Sequence, residues 1–410
     1  MKVSGSERLS DFHKIFITIK IFDSMKNKGL SMILPIMFGF FVMGFVDIIG
    51  MTTANIKSDF AELNDTIVNL LASSCFIWFL LISVPTGMLM NKIGRKNTVL
   101  LSFIVQVLAF SIVLVNYSFL SIMIALSLVG AGNTILQVAL NPLAAAIVNP
   151  SKLTGVLTFG QFVKAISSFL GPILVGWFSA MAFGWKSIFV VYAALSLLAF
   201  LWLLLTKVSE EKQEVSQASL GQTFGLFKDG KILMFFVGIL VLVGVDVGMN
   251  ITFPKYLTDT FSMDIEKAGM GNSVYFFART VGSFLGGMLL MKYAEKNFFI
   301  ASVFLGFAGL VLMLAVKELW AAYAGVVLFG LGYSNLFGII MANAIKHRPE
   351  KSNEISALLV MGISGGGVLP PLMGIITDAT GTQWAAVLTI AAVWLYLFWL
   401  IGKMYLRKSQ

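Results

Sequence analysis

The chain has 410 residues, of which 58% are hydrophobic and only 12% charged, and its formal net charge is +9. A soluble protein carries about twice that charged fraction, so this composition excludes a water-facing globule of this size. The single cysteine, Cys75, excludes an intrachain disulfide and a metal site built from thiolates.

In chain order, residues 1–28 hold six basic residues and no small-residue cleavage site after a short apolar core. They read as a cytoplasmic segment with an interfacial turn at 15–22, not as a cleaved signal peptide. Apolar blocks near 20 residues long then recur, the length that crosses a ~30 Å hydrocarbon core at ~1.5 Å per residue. They predict spans at 30–53, 67–90, 97–115, 119–148, 154–179, 185–207, 231–254, 268–292, 297–316, 319–346, 352–376 and 384–405. The expected fold class is therefore an all-α membrane protein with twelve transmembrane helices. Two six-helix halves, 29–207 and 231–406, are joined by a cytoplasmic linker over 208–230, the widest polar gap, with Glu210, Glu211, Lys212 and Glu214.

Charge orients these spans, because cytoplasmic segments carry the excess of Lys and Arg. With both termini cytoplasmic, 22 of the 29 basic residues fall in cytoplasmic segments or span ends, and five (Lys57, Lys186, Lys255, Lys267 and Lys317) fall in external loops. The net positive charge then serves topology and contact with anionic lipids, and nucleic acid is not called for. Nothing in the sequence requires a cofactor or a metal, and the chain is expected as a monomer in the inner (plasma) membrane. Cysteines introduced at Asn64 and Lys317 should react with an impermeant reagent applied from outside, and cysteines at Lys212 and Lys351 should not. The reverse labelling pattern would overturn the orientation.

The halves repeat one another. In span four, Leu128-x-Gly130-x-Gly132-x-x-x-Leu136 recurs in span ten as Leu328-x-Gly330-x-Gly332-x-x-x-Leu336. Pro172-x-x-x-Gly176 in span five has its counterpart in Pro370-x-x-x-Gly374, and Val46-Asp47 in span one has Val245-Asp246 in span seven. Small residues at such positions let helices approach closely. Similar halves meeting around a central cavity provide alternating access.

Asp47, Lys164, Asp246 and Arg279 lie deep inside predicted spans. A charge at the bilayer centre costs at least ~2.5–3.5 kcal/mol, so none should face lipid. Their charges sum to zero, which allows pairing within a polar cavity. They either bind substrate and couple protons or lock helices together as ion pairs. Uncharged polar residues extend them at helical spacing. Asn133, Gln137 and Asn141 form one stripe, and Gln161 and Lys164 another, continued by Ser167 and Ser168. Asp246 with Asn250, and Asn272 with Tyr275 and Arg279, make two more. Amides and hydroxyls both donate and accept, as a polyol requires. The same groups can also serve as hydrogen bonds between helices, worth only ~0.6 kcal/mol each. Four stripes favour a lined cavity.

Between spans two and three, Gly87-x-Leu89-x-Asn91-x-x-Gly94-Arg95-Lys96 combines glycines for a tight turn with a basic pair at the cytoplasmic lipid surface. It resembles the loop motif of the major facilitator superfamily, with Asn91 where that motif is usually acidic. Three further segments extend the likeness: Gly-Asn-Thr-Ile-Leu-Gln-Val-Ala-Leu-Asn-Pro at 132–142, Gly-Ile-Ser-Gly-Gly-Gly-Val-Leu-Pro-Pro-Leu-Met-Gly at 362–374, and Arg279-x-x-Gly282-Ser283. On these the whole chain resembles the fucose–galactose–glucose:proton symporter branch of that superfamily.

The resemblance implies proton-coupled uptake of a monosaccharide or sugar acid, and the deep charges and polar stripes give the candidate substrate-binding residues: Asp47, Asn133, Gln137, Gln161, Lys164, Asn250, Asn272, Tyr275 and Arg279. It places the family's sugar-binding and proton-coupling carboxylate at Asp47 and a second acidic residue at Asp246. Two positions depart from the branch. Gln137 stands where some relatives have a titrating glutamate, and Lys164 where hexose-type relatives tend to have asparagine. The second departure points to an acidic sugar, such as a sialic or uronic acid, or to a lysine that neutralises Asp47.

Two other classes compete. Efflux by antiport is disfavoured because Gly171-Pro172 continues Ile-Leu-Val-Gly without the paired glycines of antiporters, and because the stripes are amide-rich. An intramembrane enzyme is disfavoured because Ser364, within Gly362-Ile-Ser364-Gly365-Gly366, has neither His13 nor His347 placed to activate it.

Overall fold

The computed structural model describes residues 27–48, 56, 59–60, 62, 65–180, 184–208, 220–263, 268 and 271–406. The expected interfacial turn at 15–22 lies outside them. The helices are α1 (Asn27–Met43), α2 (Asp65–Leu81), α3 (Ser83–Ile93), α4 (Arg95–Val115), α5 (Phe119–Ile147), α6 (Leu153–Ala180), α7 (Ser187–Leu205) and α8 (Leu220–Gly225). They continue as α9 (Gly230–Phe261), α10 (Gly271–Leu290), α11 (Glu295–Ala315), α12 (Leu319–Tyr333), α13 (Leu336–His347), α14 (Ser352–Met361), α15 (Gly365–Thr380) and α16 (Trp384–Ile401). No strand occurs among the described residues.

Among the described residues, ten helical segments are long and apolar enough to cross a membrane. One further crossing is the bent pair α2–α3, and the remaining expected span is represented by the shorter apolar stretch Met32–Asp47. Residues 49–53, which complete that span in the sequence reading, lie outside the described residues. Large apolar side chains such as Leu108, Leu120, Phe277 and Ile375 are more than half exposed. On a soluble protein a surface of that kind would aggregate; here it is the face offered to lipid.

Local sequence explains the ends and breaks. Ser118 caps α5 by accepting from the Ser121 N–H at 3.2 Å, and Asp229 caps α9 through the Lys231 N–H at 3.0 Å. Asp229 also receives His347 and Arg348, each at 3.0 Å, which ties the start of α9 to the end of α13. Burial pushes the Asp229 carboxyl up, but these bonds and charges outweigh it and hold the group below the usual carboxylate range. Gly94 takes φ +84° in the turn between α3 and α4, the left-handed region that glycine enters freely.

Spans one, two and eleven, like span ten at Ser334–Asn335, are not continuous α-helices. Span two bends by 58° at Ile82. Pro85 supplies the reason, because it has no N–H to donate to the carbonyl of Leu81. Span one leaves α-geometry at Met43 and continues as a 3-10 turn, Gly44–Ile48. Span eleven has a 3-10 turn, Gly362–Ser364, between α14 and α15. The linker, read as a polar gap, contains α8, which packs on both α3 and α14.

The repeated glycines act in parallel. A Cβ at Gly130 would lie 2.2 Å from the Cys75 carbonyl oxygen on α2, and one at Gly330 would lie 3.0 Å from the Tyr275 carbonyl oxygen on α10. A Cβ at Gly132 would meet Gln106 of α4 at 2.9 Å, and one at Gly332 would meet Gly306 of α11 at 2.3 Å. In each half the first glycine thus admits the second helix and the other admits the third, so the repeat is one packing solution used twice.

The halves meet tightly at one end, the end that carries the basic loops. There α3 packs on α14, α5 on α14, and α6 on both α10 and α13. Asn91 Nδ2 donates to Glu354 Oε1 at 2.9 Å, Asn353 Nδ2 donates to Asn91 Oδ1 at 2.7 Å, and Arg95 reaches Asn353 Oδ1 at 2.8 Å and Ser352 Oγ at 2.7 Å. A second knot joins the halves through Thr154, which donates to Glu295 at 2.5 Å and accepts from Lys346 at 2.8 Å. Lys346 pairs in turn with Glu295 at 2.9 Å.

Candidate binding site between the halves

Helix α6 carries the seam upward into the membrane. From its start, a Cβ at Gly155 would press on Met291, Thr158 meets Gly338, Phe159 meets Gly287, and the Phe162 ring lies 4.8 Å from Phe284. Two residues past this floor comes Lys164, and one turn further Ser168. At ~100° per residue these two polar side chains fall on the side of α6 away from the seam residues, the side that meets span one.

Span one is brought against this stretch by Gly44, where a Cβ would lie 2.6 Å from the Lys164 carbonyl oxygen and 2.7 Å from Ser167 Cβ. No larger residue fits at that crossing. Three residues on, Asp47 is exposed and accepts a 2.5 Å hydrogen bond from Ser168 Oγ, which also reaches the Lys164 carbonyl at 3.1 Å. Lys164 and Gln161 are partly buried. The Lys164 ammonium has no hydrogen-bond or ion-pair partner among the described residues. Of the two alternatives for this lysine, a direct ion pair with Asp47 is not formed in this conformation.

The other two deep charges do pair. Asp246, 7% exposed on α9, accepts from Arg279 Nη1 at 3.0 and 2.9 Å through its two oxygens. Tyr275 donates to the same carboxylate at 2.5 Å and Tyr333 at 3.1 Å. The guanidinium carbon lies 4.7 Å from the centre of the Tyr333 ring, a cation–π contact that fixes the arginine further. Every strong acceptor direction on Asp246 is occupied. The pair knits α9, α10 and α12 together.

The amide stripe on α5 has a different use from the one expected. Asn133 is fully buried and donates to the Met43 carbonyl at 2.8 Å, at the point where α1 gives way to the 3-10 turn. Gln137, 4% exposed, donates to Asn133 Oδ1 at 2.6 Å, and Asn141 donates to the Gln137 carbonyl at 2.9 Å. Asn133 therefore fastens span four to span one, and Gln137 braces Asn133 from one turn along the same helix, both buried instead of lining an open face. Tyr275 is likewise fully buried. Asn250 is partly buried one turn beyond Asp246, and the Asn272 side chain lies outside the described residues.

Tyr333 is a member that the sequence reading missed. Its signal was present: it follows Gly332 as Asn133 follows Gly132, so the repeat places both behind the first helix of their halves. His347 is held by Asp229, far from Ser364, and gives that serine no base.

The family model described as Major Facilitator Superfamily matches residues 35–271 and 234–410. A glucose/galactose transporter of Brucella abortus is 25% identical over 402 aligned positions, which cover 92% of this chain and 95% of that protein. A hexuronate transporter of Bacillus subtilis is 24% identical, with 85% and 89% covered. Among solved structures, the E. coli fucose:proton symporter superposes with a TM-score of 0.79 at 17% identity, covering 92% of this chain and 98% of that one. These relatives are transporters, and the chain is a multi-pass membrane protein that belongs to the major facilitator superfamily.

Proposed function

We propose that the protein takes up a monosaccharide or sugar acid together with protons, by alternating access across the inner (plasma) membrane with both termini cytoplasmic. The observation that carries this reading is the Asp47 carboxylate, exposed and held by a single serine hydroxyl above the sealed floor. Such a group can exchange its proton with one side of the membrane in this conformation and with the other side after the floor opens. Asp47 is the coupling group, Gln161 and Lys164 contact substrate, and Asn250 and Asn272 supply amides from the opposite half. The relatives named for glucose, galactose and hexuronate, and the fold shared with a fucose:proton symporter, support the substrate class.

Radiolabelled uptake into proteoliposomes tests this with a sugar panel, with and without an inward proton gradient. At least one sugar or sugar acid should accumulate above its external concentration only when the gradient is present. Accumulation indifferent to the gradient, or limited to non-sugars, would sink the proposal.

With the basic loops cytoplasmic, the conformation described is closed to the cytoplasm. The pairing of Asn91 with Glu354, itself 3% exposed, explains why an amide suits this loop position. In Asn91→Asp a second carboxylate would face Glu354, and like-charge contacts of this kind cost several kcal/mol. The variant should favour the form open to the cytoplasm. A cysteine at Thr158, buried against Gly338, should then label at least tenfold faster from the cytoplasmic face. Unchanged labelling would show that closure does not depend on this contact.

A further inference from the structure

The site holds a charge balance that restricts what can cross with the proton. Asp246 and Arg279 cancel within their own pair. What remains without an ion-pair partner among the described residues of this region is one carboxylate, Asp47, and one ammonium, Lys164, linked through Ser168, which bonds the first and the backbone carbonyl of the second. Among the described residues, titratable groups that feel the Asp47 charge include Cys75 on α2, Tyr192 on α7, and Tyr333 and Arg279 from the opposite half. Of these only Arg279 is charged, and it is already matched by Asp246. The empty site is therefore neutral when Asp47 is ionised. Proton binding alone leaves it with one positive charge, and the binding of an anion alone leaves it with one negative charge.

A site that closes on both sides to reorient must bury whatever net charge it holds, and an uncompensated buried charge is strongly disfavoured. Two forms avoid that cost: the empty carrier, and the carrier with a proton on Asp47 and a carboxylate against Lys164. We propose that the substrate is a sugar acid whose carboxylate pairs with Lys164, and that it crosses with one proton in an electroneutral step. The proton moves from external water to an Asp47 oxygen and from there to internal water, and no covalent bond of the sugar changes. This rests on the proposed function above and narrows it to an anionic substrate, a fixed stoichiometry and a zero net charge moved.

The test is uptake of labelled D-glucuronate and D-glucose into proteoliposomes, with the pH gradient and the membrane potential set independently. Glucuronate should accumulate under an inward proton gradient, and a potassium–valinomycin potential of ~100 mV of either sign should change its accumulation less than about twofold. A carrier moving one net charge would instead respond about 50-fold, since 100 mV is worth about 2.3 kcal/mol per charge. Lys164→Gln should weaken glucuronate uptake at least about tenfold, with Lys164→Arg retaining most of it. Nitrate, an anion without hydroxyls, should not compete. Glucose accumulating with a 50-fold response to potential, and no uptake of glucuronate, would overturn this inference and leave proton-coupled sugar uptake standing. Complete competition by nitrate, or a folded Lys164→Gln protein with unchanged glucuronate affinity, would also overturn it. Failure of every sugar to respond to any gradient would overturn the underlying function as well.

Discussion

Asp47→Asn should abolish net gradient-driven uptake while leaving the protein folded and able to exchange bound sugar across the membrane. Asn is close in shape to a protonated aspartic acid and still accepts the hydrogen bond from Ser168, so the crossing of span one with α6 at Gly44 is undisturbed. What disappears is the ability to lose a proton. The variant remains in the proton-loaded charge state, with Lys164 uncompensated whenever the site is empty. It can therefore reorient with substrate bound but not without it. Counterflow exchange of labelled for unlabelled sugar should persist within a few-fold of wild type, and net accumulation should be absent. Full accumulation under a proton gradient would remove Asp47 from the coupling role. Loss of both exchange and thermal stability would show instead that it holds the helices together.

The spans were legible because hydrocarbon thickness imposes a length that hydropathy reads directly. The repeat was legible because glycines at 130, 132, 330 and 332 have no other reason to recur at one spacing, and the structure finds each pair admitting the corresponding helices. Two things were not legible. Hydropathy is blind to a missing hydrogen bond, so the 58° bend at Ile82 passes unseen although Pro85 is plain in the sequence. Helical periodicity also states that residues share a face without stating which face. Asn133, Gln137 and Asn141 share a face, yet they are buried, Asn133 bonding to span one and the other two bonding along their own helix. The same limit applies to charge. Four ionisable residues with zero net charge permit several pairings, and only three-dimensional placement joins Asp246 to Arg279 while leaving Asp47 and Lys164 without an ion-pair partner among the described residues.

That pairing separates the two carboxylates that the repeat makes equivalent, and Asp246→Ala is where the difference should be greatest. Asp246 receives Arg279, Tyr275 and Tyr333 in a site from which water is almost excluded. Its removal leaves a guanidinium without a counter-charge and two phenol hydroxyls without an acceptor. Breaking a buried pair by deleting one partner destabilises by about 3–5 kcal/mol. This variant should therefore lose folded protein in a thermal-shift measurement in detergent, whereas Asp47→Asn should not. Asp246→Leu combined with Arg279→Met should recover much of the loss, because the double replacement leaves no orphaned charge. The two single changes should then be non-additive by roughly 2 kcal/mol or more, within the range found for directly coupled residues. Asp246→Asn should fall between, since it keeps an acceptor for the tyrosines and loses the charge. If Asp246→Ala instead melts like wild type and only its proton-driven accumulation fails, Asp246 joins Asp47 as a coupling group, and the ion pair with Arg279 is one that opens during the transport cycle.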